Sequence, residues 1–394
     1  MKTHKISNHW RALLFLLALV LCLPTFSVTA SAKESVAAQN QASPELNCKS
    51  AVLMEASTGK ILYEQNPDEA LPPASVTKIM TLLLVMEAID GGKIALSEMV
   101  TASEYAASMG GSQVYLKVGE TMSVEDMLKS VVISSANDAA VALAEFVSGD
   151  VDTFVRRMNE RAEQLGMTST HFENVTGLDD TAQNHLTSAK DIARMSRALI
   201  AHPTILKYSS IWMDTIRGGA FGLTNTNRLV RFYRGATGLK TGSTSKAGFC
   251  VSVTAERDGL SLICVIMGAE SRDIRNAMAT KLLDWGFANY AAYQAPGENA
   301  GNIRVLGGVK NQCPTAFDAF EAVVGKGETA SIVRKVIVND TISAPVRVGD
   351  EVGRVQYLLG DQVLGEVPIT AREDIKKISF FGLWQRLLAK ALLA

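Results

Sequence analysis

The chain of 394 residues carries 39 Lys and Arg against 40 Asp and Glu, a formal net charge of -1. That length suffices for about two domains, and the near balance of charge removes any global field that would point to nucleic acid. The five histidines make no His-x-x-x-His pair and the cysteines no Cys-x-x-Cys, so neither a metal nor a cofactor is expected.

Lys2, Lys5 and Arg11 flank the start of an apolar stretch, Ala12 to Pro24, and Ala30-Ser31-Ala32 follows as a small-residue cleavage site. This is the pattern of an export signal over 1–32, with an uninterrupted apolar run well short of the ~20 residues a membrane span needs. Cys22 does not mark a lipoprotein, because Leu21 stands where a small residue is expected. Residues 33–47 are polar and poor in large apolar side chains and read as a linker. Cys48, Cys250, Cys264 and Cys313 remain after cleavage. Cys250 and Cys264 fall on neighbouring expected strands, and a disulfide and two reduced core thiols both stay open.

Ala51–Met54 and Ile61–Tyr63, separated by Ser57-Thr58-Gly59, predict a β-hairpin. Ser75 to Ile89 is apolar on nearly every side and closes at Asp90-Gly91-Gly92, which predicts a buried central helix. Ser123 with Asp126 three residues on opens another helix, and Asp138–Phe146 a third. From Leu239 the period changes to strands: Lys240-Thr241-Gly242, then Phe249–Thr254 and Leu260–Met267 joined through Asp258-Gly259. Ala277–Phe287 is again helical. Strands at both ends with helices between predict a mixed α/β (α+β) domain over 48–294, its sheet largely antiparallel and assembled from distant segments.

Short β-branched runs follow, at Ile332–Val338, Pro345–Val348, Val352–Tyr357 and Val363–Thr370. They predict a small all-β domain over 295–371 with no concentrated chemical motif. Residues 372–394 form an amphipathic helix. Ser379, Gly382, Arg386 and Lys390 mark a narrow polar face, Phe380, Phe381, Trp384, Leu387 and Leu388 the broad apolar one, and Lys376 and Lys377 precede them. Such a helix suits the membrane interface; the competing reading is a terminal helix packed on the core.

Ser-x-x-Lys occurs three times, at Ser57/Lys60, Ser75/Lys78 and Ser243/Lys246, where about one or two chance matches are expected at average usage. The first straddles a hairpin turn. The last lies at a strand end, where a three-residue step sends side chains to opposite faces. Only Ser75/Lys78 opens a helix, where i and i+3 share a face and the N-terminus offers N–H groups to an anion. A serine hydroxyl needs a neighbouring base, and a desolvated lysine beside another cation can be that base. Ser135-Ala136-Asn137 adds a hydroxyl and an amide from a loop between helices. Lys240-Thr241-Gly242 adds a strand whose glycine allows close approach of a ligand to the backbone.

The three motifs together are the Ser-x-x-Lys, Ser-x-Asn and Lys-Thr-Gly signature of the penicillin-recognising serine enzymes. SAVLMEASTGKILYEQN, LPPASVTKIMT, SSANDAAVALAE and GLKTGSTSKAGFCVSV, with NHLTSAKDIARMSRALI, NTNRLV and LLDWGF, more closely resemble the low-molecular-mass D-alanyl-D-alanine carboxypeptidases, from about Cys48 to Tyr290. The resemblance implies a β-lactamase/transpeptidase-like domain with a five-stranded sheet. It also implies removal of the terminal D-alanine from peptidoglycan pentapeptide stems at the extracytoplasmic membrane face, and covalent inhibition by β-lactam antibiotics. Residue by residue, it implies Ser75 as the acylated nucleophile, Lys78 as its base and Ser135 as a proton relay to the leaving D-alanine. Asn137 would bind the substrate amide, and Lys240 and Thr241 its carboxylate, with Lys240 helping keep Lys78 neutral. Gly242 allows the approach, and the backbone N–H groups of Ser75 and Ser243 form the oxyanion hole. Arg228 is read either as added positive charge near the carboxylate or as a surface residue, and His185 and Asp191 as structural.

Rival readings are a β-lactamase, a D,D-endopeptidase on cross-linked stems and an idle peptidoglycan-binding scaffold. A β-lactamase needs a base for fast deacylation, and Glu173 is the nearest loop carboxylate. An α/β-hydrolase triad is disfavoured, because no Gly-x-Ser-x-Gly elbow is present.

Overall fold

The structure, a computed structural model, describes residues 42–180 and 182–392. The expected signal peptide and most of the expected linker therefore lie outside the described residues. The described end of that linker is held in place: Leu46 is buried, Tyr63 donates to the Pro44 carbonyl and Lys281 to that of Glu45.

The hairpin forms as expected, from β1 (Ser50–Glu55) and β2 (Ile61–Gln65). β3 (Ala236–Thr244), β4 (Gly248–Arg257) and β5 (Leu260–Ala269) complete a five-stranded sheet in the order β2-β1-β5-β4-β3, with every pairing antiparallel. Period-two alternation in β1 and β5 divides their side chains between two cores. Val52, Met54, Ile263, Val265 and Met267 face the helical layer of one core. Ala51, Leu53, Leu262, Cys264 and Ile266 face α5 (Arg272–Asn289) on the other. The same alternation separates the two cysteines, since Cys250 belongs to the first core and Cys264 to the second. Cys264 lies opposite Val253, and all four described cysteines are free.

On the first face α1 (Lys78–Asp90) is buried along almost its whole length. Each large aliphatic side chain it sequesters contributes roughly 1.5–3 kcal/mol of transfer free energy. Ser75 itself precedes α1, in a 3₁₀ turn over Ala74–Thr77. α2 (Val124–Ser134) is capped by Ser123, whose hydroxyl accepts from the Asp126 N–H, and α3 (Asn137–Ser148) follows after two residues. α4 (Ala189–Ile200) packs against α1 and the sheet.

α5 runs directly into the second domain. β6 (Tyr290–Ala295) pairs with β9 (Phe320–Gly325). β7 (Glu298–Leu306), β8 (Gln312–Phe317), β10 (Ile332–Val338), β11 (Thr341–Ser343), β12 (Glu351–Leu359) and β13 (Gln362–Ala371) form a sheet in the order β10-β12-β13-β8-β7-β11. Pro345–Val348, expected as a strand, makes only a bridge from Val346 to Ile375; Pro345 has no N–H to give a ladder.

The terminal helix α6 (Phe380–Leu392) turns its polar side to this domain. Arg386 donates to the carbonyls of Gly308 and Val309 and to Asn311 Oδ1. Phe380, Phe381, Trp384 and Leu387 are exposed, so the apolar face is not packed on the core. No helix among the described residues is long and apolar enough to cross a membrane.

Candidate active site

The 3₁₀ turn explains why Ser75 and Lys78 meet. At three residues per turn, side chains at i and i+3 eclipse, and Lys78 Nζ lies 2.9 Å from Ser75 Oγ. Its other neighbour is the Thr176 carbonyl at 2.8 Å. A carbonyl can only accept, so it takes an N–H of Lys78 and fixes the amine beside the serine hydroxyl. Ser57 instead caps Glu55, while Lys60 and Lys246 each donate to a carbonyl, so neither other Ser-x-x-Lys pair comes together.

Ser135 occupies the left-handed region (φ 63°) where α2 ends. That bend aims its hydroxyl at Lys240 Nζ, 2.8 Å away. Asn137 is fixed through Nδ2 to the Gly110 carbonyl at 2.6 Å, and its buried Oδ1 has no partner, leaving an acceptor for an incoming N–H. Next to it the Asp138 carboxylate accepts from the N–H groups of Val114, Leu116 and Ala139. Thr241 Oγ1 bonds Thr226 Oγ1 at 2.8 Å.

Gly242 lines the cavity and has a second, packing reason as well. A Cβ there would stand 2.8 Å from the Pro73 carbonyl oxygen and 2.8 Å from the Ser75 nitrogen. The close approach is between β3 and the protein's own nucleophile turn, and it sets the Ser75 and Ser243 backbones side by side. Gly242→Ala is therefore expected to slow acylation of Ser75 by about 100-fold, the order of effect of a misplacement near 1 Å, while near-UV circular dichroism stays native.

Both lysines are fully buried, which disfavours their charged forms. Burial first, then repulsion from Lys240, holds Lys78 well below the ordinary lysine value, against a smaller opposing pull from Asp138. Burial and then Arg275 push Lys240 down to about 7.

A cavity of about 580 Å³ joins Ser75, Ser135, Thr241, Gly242 and Ser243. It also draws in Arg228, which the sequence reading left between two roles, and Arg272 and Arg275, which it missed. The arginines of α5 follow the Lys-Thr-Gly strand by some thirty residues, and only sheet pairing brings them back. Lys78, Asn137 and Lys240 stand directly behind this surface. His185 and Asp191 lie outside the cavity lining, as expected. His185 Nδ1 accepts from the Glu173 N–H and Nε2 donates to Thr77 Oγ1, which donates to the Ala74 carbonyl. Asp191 accepts from Ser169, Thr170 and Arg194.

Fold and site together define a penicillin-recognising serine hydrolase. The family model described as D-alanyl-D-alanine carboxypeptidase matches residues 36–271, and that of the penicillin-binding protein 5 C-terminal domain matches 292–377. The chain is 41% identical to the D-alanyl-D-alanine carboxypeptidase DacF of Bacillus subtilis, over 95% of its own length and 97% of that protein. Penicillin-binding protein 5 of Haemophilus influenzae superposes with a TM-score of 0.75 at 31% identity, over 86% of this chain and all of that one. Penicillin-binding protein D2 of Listeria monocytogenes, in its ampicillin-bound form, does so with 0.58 at 34% identity, over 63% of this chain and all of that one. The chain belongs to the family of serine-type D-alanyl-D-alanine carboxypeptidases.

Proposed function

We propose that the protein removes the terminal D-alanine from peptidoglycan pentapeptide stems through an acyl-enzyme on Ser75, and that penicillins acylate the same atom. The observation that carries this is the buried Lys78 amine 2.9 Å from Ser75 Oγ, its pKa held well below the ordinary lysine value by burial. Lys78 takes the hydroxyl proton as Ser75 Oγ bonds to the penultimate carbonyl carbon. The oxyanion forms between the Ser75 and Ser243 N–H groups. Asn137 Oδ1 accepts from the substrate amide, and Lys240 with Thr241 holds the terminal carboxylate. The C–N bond breaks as the proton passes through Ser135 to the departing amine, and water then cleaves the ester. Glu173 argues against a β-lactamase: its carboxylate already accepts from the N–H groups of Gln183 and Asn184.

Incubation with a peptide ending in D-Ala-D-Ala is expected to release free D-alanine, and mass spectrometry after penicillin treatment to place the adduct on Ser75. Rapid penicillin hydrolysis without D-alanine release would overturn the reading.

The chain is further proposed to be exported and held at the extracytoplasmic membrane face. The outward apolar face of α6 supports this, because its polar face is already engaged by the second domain. Deleting residues after Lys377 is expected to move the protein from sedimented vesicles to the supernatant; a truncated protein that still sediments would remove α6 as the anchor.

A further inference from the structure

Hydrolysis of a terminal D-alanine requires one carboxylate site and room for one methyl group. The cavity exceeds that need. Besides Thr241 and Ser243 its lining includes Trp212, Phe232, Arg228 and Arg272, with Arg275 buried at its wall. No Asp or Glu is among its lining residues, and no carboxylate pairs with these three arginines among the described residues. Arg275 instead bonds the Cys250 carbonyl and the Asn276 side chain. Asp273, two residues before it on α5, is the carboxylate that acts on Arg275, and it is outweighed by Arg272 and by Arg228. Elsewhere this protein does pair its arginines, as at Arg161–Glu87 and Arg217–Glu120. Three cations left uncompensated around one concavity raise the local concentration of anions and favour a bound negative charge. Trp212 and Phe232, edge to face at 6.0 Å, supply an apolar wall beside them, and Phe232 is 74% exposed.

We infer that Arg228, Arg272, Trp212 and Phe232 form a leaving-group subsite for a D-amino acid carrying a second negative charge on a short aliphatic stem. The α-carboxylate takes the place of the D-alanine carboxylate, the methylenes lie against Trp212 and Phe232, and the second carboxylate reaches Arg228 and Arg272. The inference rests on the carboxypeptidase reading: the D-Ala–D-X amide bond is broken, the Ser75 ester forms in its place, and the proton from Ser75 leaves with the D-X amine.

The test compares acyl-L-Lys-D-Ala-D-X peptides with X as Ala, Glu, Gln and Lys, following release of D-X. The Glu peptide is expected to exceed its neutral isostere Gln in kcat/KM by about threefold to tenfold, with Lys lowest, which is the range open to partly exposed ion pairs. The Glu/Gln ratio should shrink with added salt and fall toward one in the Arg228→Ala, Arg272→Ala double variant. Arg228→Lys, Arg272→Lys should keep part of it, showing that charge is what counts. Equal rates for Glu, Gln and Lys overturn the inference, as does a preference that the double alanine variant retains. Failure of the wild-type protein to release D-alanine from the X = Ala peptide overturns the carboxypeptidase reading instead, and the inference falls with it.

Discussion

Replacing Lys78 by methionine is expected to slow acylation of Ser75 by about 10²–10⁴-fold, the usual contribution of a general base, measured as the rate of labelling by a fluorescent penicillin. Methionine keeps the length and removes the amine, so α1 should stay packed. Nothing replaces the base: His185 is committed to Glu173 and Thr77, and the Glu173 carboxylate to two backbone amides. The pH dependence has a definite sign. Lys78 accepts a proton only when neutral, so acylation falls as pH drops through its depressed pKa. In the proposed mechanism Lys240 holds a carboxylate best as a cation, and the rise in pH through about 7 removes that charge in the free enzyme. Lys240→Gln deletes a like charge beside Lys78, which lets the Lys78 pKa rise. The acid limb of the labelling profile should therefore move to higher pH; an unmoved limb would show that Lys240 does not tune the base. The same groups set a stability trend. Their folded pKa values lie below the unfolded ones, so the unfolded chain binds more protons in between. For Lys240 stability then rises with pH from about 7 toward the ordinary lysine value of 10.5. Lys240→Gln should flatten that rise in urea unfolding.

Gly177→Ala carries the second large effect, on stability as well as rate. Gly177 has φ +82°, and a Cβ on it would lie 1.8 Å from the Ala74 carbonyl oxygen and 2.7 Å from Thr77 Oγ1. The first of these is backbone, which cannot rotate away, so the loop must lift from the turn that carries Ser75. Three bonds are then at stake: Lys78 to the Thr176 carbonyl, Thr81 to the Val175 carbonyl and Thr77 to His185. Ala74, held at φ 48° immediately before the nucleophile, loses the contacts that keep it there. A loss of about 3 kcal/mol or more is expected, at the upper end for single substitutions, read from the urea midpoint. Labelling should slow in the folded fraction too, because the Thr176 carbonyl no longer orients Lys78. A variant with native midpoint and native labelling rate would show that the loop does not brace the turn.

Much of the candidate constellation was legible locally because its members sit at helix ends and on a strand with strong local signals. Ser75 and Lys78 open an apolar run, Ser135 and Asn137 lie in a two-helix junction, and Lys240 to Ser243 stand on a strand bounded by turns. The hairpin followed from two short apolar runs about a turn, and the buried helix from a long apolar run closed by Asp90-Gly91-Gly92. The β domain was less legible: Glu298–Leu306, reading ENAGNIRVL, has too little apolar alternation to announce a strand, and its pairing with β8 and β11 is what makes it one. Pro345–Val348 erred the other way: Pro345 has no N–H, and those of Arg347 and Val348 go to the Asp350 and Asp374 side chains, so only the Val346 bridge forms.

By itself, then, the sequence determined which side chains are candidates for the chemistry, because Ser75 and Lys78 stand three residues apart at a helix start and two further motifs single that pair out. Tertiary structure decided what those side chains are able to do. It buried both Lys78 and Lys240, turned a carbonyl from a loop nearly a hundred residues downstream toward the Lys78 amine, and made Gly242 a packing necessity against Ser75. It also separated Cys250 from Cys264 across the sheet and gathered Arg228, Arg272 and Arg275 around one cavity. Desolvation, like-charge repulsion and close backbone approach are properties of atoms near in space, and no spacing along the chain encodes them.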